Sequence, residues 1–161
     1  MKRERIALDF PCSPKMVGAL TALYSDRGFE FLHLKDLVVA KTKDEIWADA
    51  YKRFGGRVVI SGDSKIAYRP HQAVAFVDNG FLSFFPSEGW NELKGHQKSA
   101  VLINYFPLIE AKVSEGAFGA CWRLPNPLHK GELRFRTPAL LTKLEIPRDV
   151  LERARRQAAT R

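Results

Sequence analysis

The sequence predicts an α/β fold in three layers, α/β/α, with a mostly parallel central sheet and helices on both of its faces. Three observations carry this. Short apolar runs alternate with stretches of helical period along most of the chain. The run Val58-Val59-Ile60 is apolar without interruption, as a parallel strand covered on both faces is. Gly and Pro fall between these runs, where they mark turns and helix ends. A chain of 161 residues, 45% hydrophobic and 27% charged, suits one globular domain, with room for an appendage.

Taken in order, residues 5–9 read as a short buried strand. Ser13-Pro14 supplies an N-cap and an N1 proline. Met16, Val17, Leu20 and Leu23 then recur at helical spacing until Gly28 ends the helix. Residues 29–34 form a second strand. A second helix runs from Thr42 through Phe54, with Ile46, Ala50 and Phe54 on one side and Gly55-Gly56 as its stop. The third strand covers 57–61, the third helix 71–78, and the fourth strand 81–85. The next helix, 98–113, contains Pro107, which should kink or split it. A fifth strand covers 118–124. Pro125-Asn126-Pro127 marks a boundary, followed by an extra strand at 132–136 and a last helix from Pro147. The expected division is a domain over 1–128 and a basic extension over 129–161.

The net charge of +8 favours an anionic partner: nucleic acid, an anionic membrane surface or an acidic protein. Residues 129–161 concentrate that charge, with nine Lys and Arg against four acids. This tail is either a solvated basic face or a grip on a partner. No apolar run approaches the roughly 20 residues of a membrane span. The basic start leads into a short strand rather than the longer apolar stretch of a signal peptide, so the expected compartment is the cytoplasm. Cys12 and Cys121 are too few and too far apart for a disulfide framework or a zinc site. The four histidines lack metal-binding spacing.

Asp9, Asp44, Glu45 and Asp63 each stand where a strand ends or a helix begins. Ligands of open α/β sheets bind outside the carboxyl ends of the strands, and carboxylates gathered there suit hard divalent cations. Each acid also has a local explanation. Asp9 could cap a turn at a strand tip. Thr42-x-x-Glu45 fits a capping box, and Asp44 suits the positive end of a helix. Asp63, after Ser61-Gly62, could form a turn, with the Ser61 hydroxyl orienting a carboxylate. Asp49 reads as solvated, and Asp78 as a turn residue. Lys65 and Arg69 are candidates for phosphate contacts or for plain solvation. Phe84, Phe85 and Trp90 could stack on bases, although core packing is the better reading.

At these acids the chain resembles a PIN-like nuclease domain, in particular the branch of VapC-type toxins. The matching segments are Ile6-Ala7-Leu8-Asp9, Thr42-Lys43-Asp44-Glu45-Ile46-Trp47 and Val58-Val59-Ile60-Ser61-Gly62-Asp63, with His33-Leu34-Lys35-Asp36-Leu37 similar to the family's second-strand exit. The similarity of layout extends to about residue 125. It implies hydrolysis of RNA phosphodiesters at an acidic pocket holding Mg²⁺ or Mn²⁺. Asp9, Asp44 and Asp63 would be metal ligands, Glu45 a ligand or helix cap, and Ser61 a supporting hydroxyl. The implied partners are RNA and commonly an antitoxin protein; self-association is left open and no membrane is expected. The chain departs from the pattern at Phe10-Pro11, where the family often has an acid and then Asn. It departs again at His71-Gln72, where many members carry a further acid. The alternative is a PIN-like nucleic-acid-binding or regulatory module without catalysis.

Overall fold

The computed structural model describes residues 2–65, 69–135 and 140–160. Five parallel strands form the body of the sheet: β1 (Glu4–Leu8), β2 (Phe29–His33), β3 (Val58–Ile60), β4 (Leu82–Phe85) and β5 (Cys121–Arg123). A hairpin of β6 (Leu128–His129) and β7 (Glu132–Leu133) follows, and then β8 (Thr142–Lys143), which pairs antiparallel with β5 at the sheet edge. The order in the six-stranded sheet is β2-β1-β3-β4-β5-β8. Strand order reverses between β1 and β3, which lie side by side.

The crossovers are α1 (Pro14–Tyr24), α2 (Asp44–Arg53), α3 (Pro70–Asp78) and α4 (Gly95–Glu115); α5 (Arg148–Ala159) follows β8. Alternate residues of each strand face opposite layers. On one face Ile6, Leu8, Val58, Ile60, Leu82 and Phe84 pack with Met16 and Leu20 of α1 and with Leu102, Phe106 and Ile109 of α4. On the other, Ala7, Val59 and Phe85 pack with Trp47 and Tyr51 of α2 and with Ala75 and Phe76 of α3. Helix α5 lies on α3, where Arg155 forms an ion pair with Asp78. The three-layer expectation therefore holds. No helix among the described residues is long and apolar enough to cross a membrane.

Several local expectations are corrected. The buried side of α2 is Trp47, Ala48 and Tyr51, while Ile46 and Phe54 are 58% and 41% exposed. The larger rings win the helix phase, and the Tyr51 hydroxyl ties α2 to the sheet by donating to the carbonyls of Arg5 and Val58. The capping box does not form. Lys43 is the N-cap without a side-chain bond, and the Thr42 hydroxyl turns back to the Val39 carbonyl. Helix α4 is not split at Pro107. Proline leaves the carbonyl four residues earlier without its helical donor, and that carbonyl, Ile103, accepts from the Tyr24 hydroxyl at 2.8 Å. The extra strand is shorter than expected, and Arg136, its expected end, lies outside the described residues with Arg161 of the tail. Phe84, Phe85 and Trp90 are buried and belong to the core, so stacking on bases falls away.

Candidate functional site

Asp9 and Asp63 leave the carboxyl ends of β1 and β3, the two strands that flank the reversal of strand order. That is where an open α/β sheet leaves a crevice. Their loops are held together closely. The Asp9 amide donates to the Ile60 carbonyl at 3.1 Å, and the Gly62 amide donates to Asp9 Oδ1 at 2.8 Å. Gly62 is obligatory here on steric grounds: a Cβ would stand 2.8 Å from the Pro11 carbonyl carbon and 2.9 Å from its Cβ. Ser61 lies between the two aspartates in this arrangement: its hydroxyl accepts from the Asp63 amide at 3.0 Å, and its presence beside Asp9 bears on that carboxyl's pKa. Asp63 Oδ1 in turn accepts from the Lys65 amide at 2.8 Å.

Each carboxylate thus has one oxygen committed to the backbone. The other oxygen, Oδ2 in both residues, is buried without an aligned hydrogen bond. Arg69 Nη1 lies 2.9 Å from Asp63 Oδ2 and neutralises it as an ion pair, out of hydrogen-bond alignment. The Asp9 carboxyl is only 2% exposed. Burial pushes its pKa up from 3.8 to about 7; the Ser61 hydroxyl and the Gly62 amide pull it down, and the charge of Asp63 raises it further. Two carboxylates on neighbouring strand ends, one with a free buried oxygen and one whose oxygen is held by Arg69, are of the oxygen type that hard cations take. The pair fits Mg²⁺ or Mn²⁺, which take one or two carboxylates and keep several waters.

Asp44 and Glu45 open α2, at the same edge by topology, because α2 follows β2 as α1 follows β1. Asp44 Oδ1 accepts from the Trp47 indole at 3.0 Å, and Glu45 is exposed. Neither makes a hydrogen bond or ion pair with Asp9 or Asp63. Among the described residues no group of three or more His, Cys, Asp and Glu is placed to hold a metal ion. The structure therefore gathers two of the four acids. Asp49 pairs with Arg53 on the helix surface, and Lys65 and Arg69 are both exposed beside Asp63.

Two contributors, His33 and Arg123, were not visible in sequence. His33, 3% exposed at the end of β2, accepts from the Lys35 amide at Nδ1 (3.1 Å), so its Nε2 carries the proton and donates to the Cys12 carbonyl at 2.8 Å. It thereby braces the loop that carries Asp9. The Cys12 thiol is buried, and burial first, then Asp9, pushes its pKa well above the usual thiol range, which makes it inert. Arg123, at the end of β5, donates from Nη1 to the carbonyls of Ser64 (3.3 Å) and Pro86 (3.1 Å), tying the loops after β3 and β4. The run of residues around His33 hints at a strand exit; nothing local marks Arg123.

The sequence profile of the family described as PIN like domain matches residues 5–88, just over half of the chain, spanning β1 through the exit of β4 and including both aspartates. Domains of this kind are generally nucleases, a class of hydrolase. No curated protein and no solved structure matches the chain.

Proposed function

Since this chain belongs to the PIN-like domain family, we propose that it is a divalent-metal-dependent endoribonuclease of VapC type, the toxin of a type II toxin–antitoxin pair acting in the cytoplasm. The observation that carries this reading is the pair of buried, unaligned Oδ2 atoms of Asp9 and Asp63 at the switch point of the sheet. Asp9 and Asp63 would hold the ion, with Asp44 and Glu45 at the same edge to complete the set in the presence of substrate. An ion held by these residues would lower the pKa of a water and offset charge on a phosphodiester.

The chain's own groups do the positioning. The Gly62 and Lys65 amides fix Oδ1 of Asp9 and of Asp63, so each carboxylate is held in one orientation. Ser61 fixes the turn that carries Asp63. Arg69 and Lys65 supply positive charge beside Asp63 for a substrate phosphate, and His33 and Gly62 keep Asp9 from shifting. Residues 1–128 would form the nuclease domain, with 129–161 a basic extension that meets RNA or an acidic face of the antitoxin.

The test is cleavage of a single-stranded RNA with and without Mn²⁺. Asp9→Asn and Asp63→Asn should each abolish metal-dependent cleavage; unchanged cleavage in either rejects the assignment. A second reading, a PIN-like module that binds without cutting, is favoured by one observation: Asp44 engages Trp47 rather than the aspartate pair. Calorimetry that finds no Mn²⁺ binding to the wild-type chain decides for that module.

A further inference from the structure

A cavity of about 350 Å³ opens at the carboxyl ends of β4 and β5, lined by Ser64, Lys65, Ser87, Glu88, Arg123 and Asn126. Ser64 and Lys65 are the two residues that follow Asp63, so the cavity adjoins the aspartate pair along the same sheet edge. Its size is at the small end of ligand pockets and suits one nucleotide.

The polar groups in its wall are fixed on one side and free on the other. Arg123 spends Nη1 on the carbonyls of Ser64 and Pro86, which immobilises the guanidinium and leaves its remaining donors unspent. A guanidinium ordered in advance loses little freedom when it takes an oxyanion. Asn126 Oδ1 accepts from the Leu128 amide at 2.8 Å, which orients its side chain and leaves the amide NH₂ to donate. Lys65 and Glu88 form no ion pair among the described residues. The wall thus offers two cations, an oriented donor and a carboxylate that only accepts.

We propose that this cavity is a nucleotide subsite beside the aspartate pair, in which Lys65 and Arg123 hold a phosphate and Glu88 reads the base. A carboxylate accepts from base N–H groups. Guanine presents two parallel N–H donors, at N1 and the exocyclic amine, to the two oxygens of one carboxylate. Adenine and cytosine each place an acceptor next to the amine and offer no such pair. Uracil has a single ring N–H between two carbonyls. The subsite therefore prefers guanine. This inference rests on the nuclease reading for its place in the reaction, but the subsite is tested without catalysis.

The experiment is amide chemical-shift mapping of the full chain in EDTA, titrated separately with 5′-GMP, 5′-AMP and inorganic phosphate. The expected result is that 5′-GMP shifts Lys65, Ser87, Glu88 and Asn126 and binds at least about 5-fold tighter than 5′-AMP, a paired contact being worth that much discrimination. Glu88→Gln should remove the preference and leave 5′-AMP binding within about 2-fold, whereas Lys65→Ala should weaken both nucleotides alike. Shifts centred elsewhere, equal affinity for both nucleotides, or a preference that survives Glu88→Gln overturn the proposal. Because metal is absent throughout, each of those outcomes leaves Mn²⁺-dependent cleavage to be judged separately.

Discussion

The buried Asp9 carboxyl makes a sharp statement about stability. A pKa held at about 7 in the folded chain, against 3.8 ordinarily, means that the folded state keeps a proton the unfolded state gives up. Over that window the native state binds more protons than the unfolded one, so stability falls as pH rises from 3.8 through 7. The rise corresponds to about 4 kcal/mol lost once the pH exceeds 7. Asp9→Asn removes the titration and keeps the acceptor for the Gly62 amide, Oδ1. In urea denaturation with EDTA present, the variant should be more stable than wild type by only about 1 kcal/mol at pH 4.5 and by up to about 4 kcal/mol at pH 8. Divalent metal should narrow the gap: free Mn²⁺ at a hundred times its dissociation constant returns about 2.7 kcal/mol to wild type only. A gap between the two proteins that is the same at both pH values, or wild type more stable than the variant at pH 8 in EDTA, would refute the reasoning.

Other expectations are independent of that one. Arg69→Gln removes the cation that sits against Asp63 Oδ2, and because the pair is largely exposed on the arginine side the effect is modest: Mn²⁺ should bind about 2- to 5-fold tighter by calorimetry, and weaker binding contradicts the competition. Gly62→Ala forces a methyl against Pro11 and should cost about 1–3 kcal/mol in denaturation while weakening Mn²⁺ binding. Tyr24→Phe leaves the Ile103 carbonyl without a donor and should cost about 1 kcal/mol. In a Pro107→Ala background, where residue 107 again has an N–H for that carbonyl, the same change should cost less, and an equal cost in both backgrounds would dissociate Tyr24 from the proline.

The order of strands and helices was legible because parallel strands advertise themselves as uninterrupted apolar runs, and because Pro14, Gly28 and Gly55-Gly56 sit where helices start and stop. Three features escaped. The inward face of α2 is ambiguous in sequence because Ile46, Ala50 and Phe54 share the period of Trp47 and Tyr51, and burial of the larger rings with the hydroxyl bonds of Tyr51 decides between the faces. The continuity of α4 depends on Tyr24, 79 residues away from Ile103 in sequence. The two-residue β8 is too short to show a pattern, and its pairing with β5 comes from tertiary packing.

The site divides in the same way. Asp9 and Asp63 could be placed together from strand ends alone, since β1 and β3 bear the aspartates and the topology puts them side by side. The braces could not be seen. His33 and Arg123 act on backbone carbonyls at Cys12, Ser64 and Pro86, contacts with no signature in residue type or spacing. Asp44 and Glu45 looked equivalent to the other acids in sequence, but the Trp47 indole holds Asp44 locally.

The central claim is that Asp9 and Asp63 together seat one divalent cation at the switch point of the sheet. Anomalous diffraction from a crystal of the full chain soaked in Mn²⁺ tests it most directly. A peak within about 2.5 Å of Oδ2 of both residues, with Arg69 moved off Asp63, is the expected result. A crystal that takes up Mn²⁺ elsewhere, or shows no peak between the two carboxylates, would contradict it.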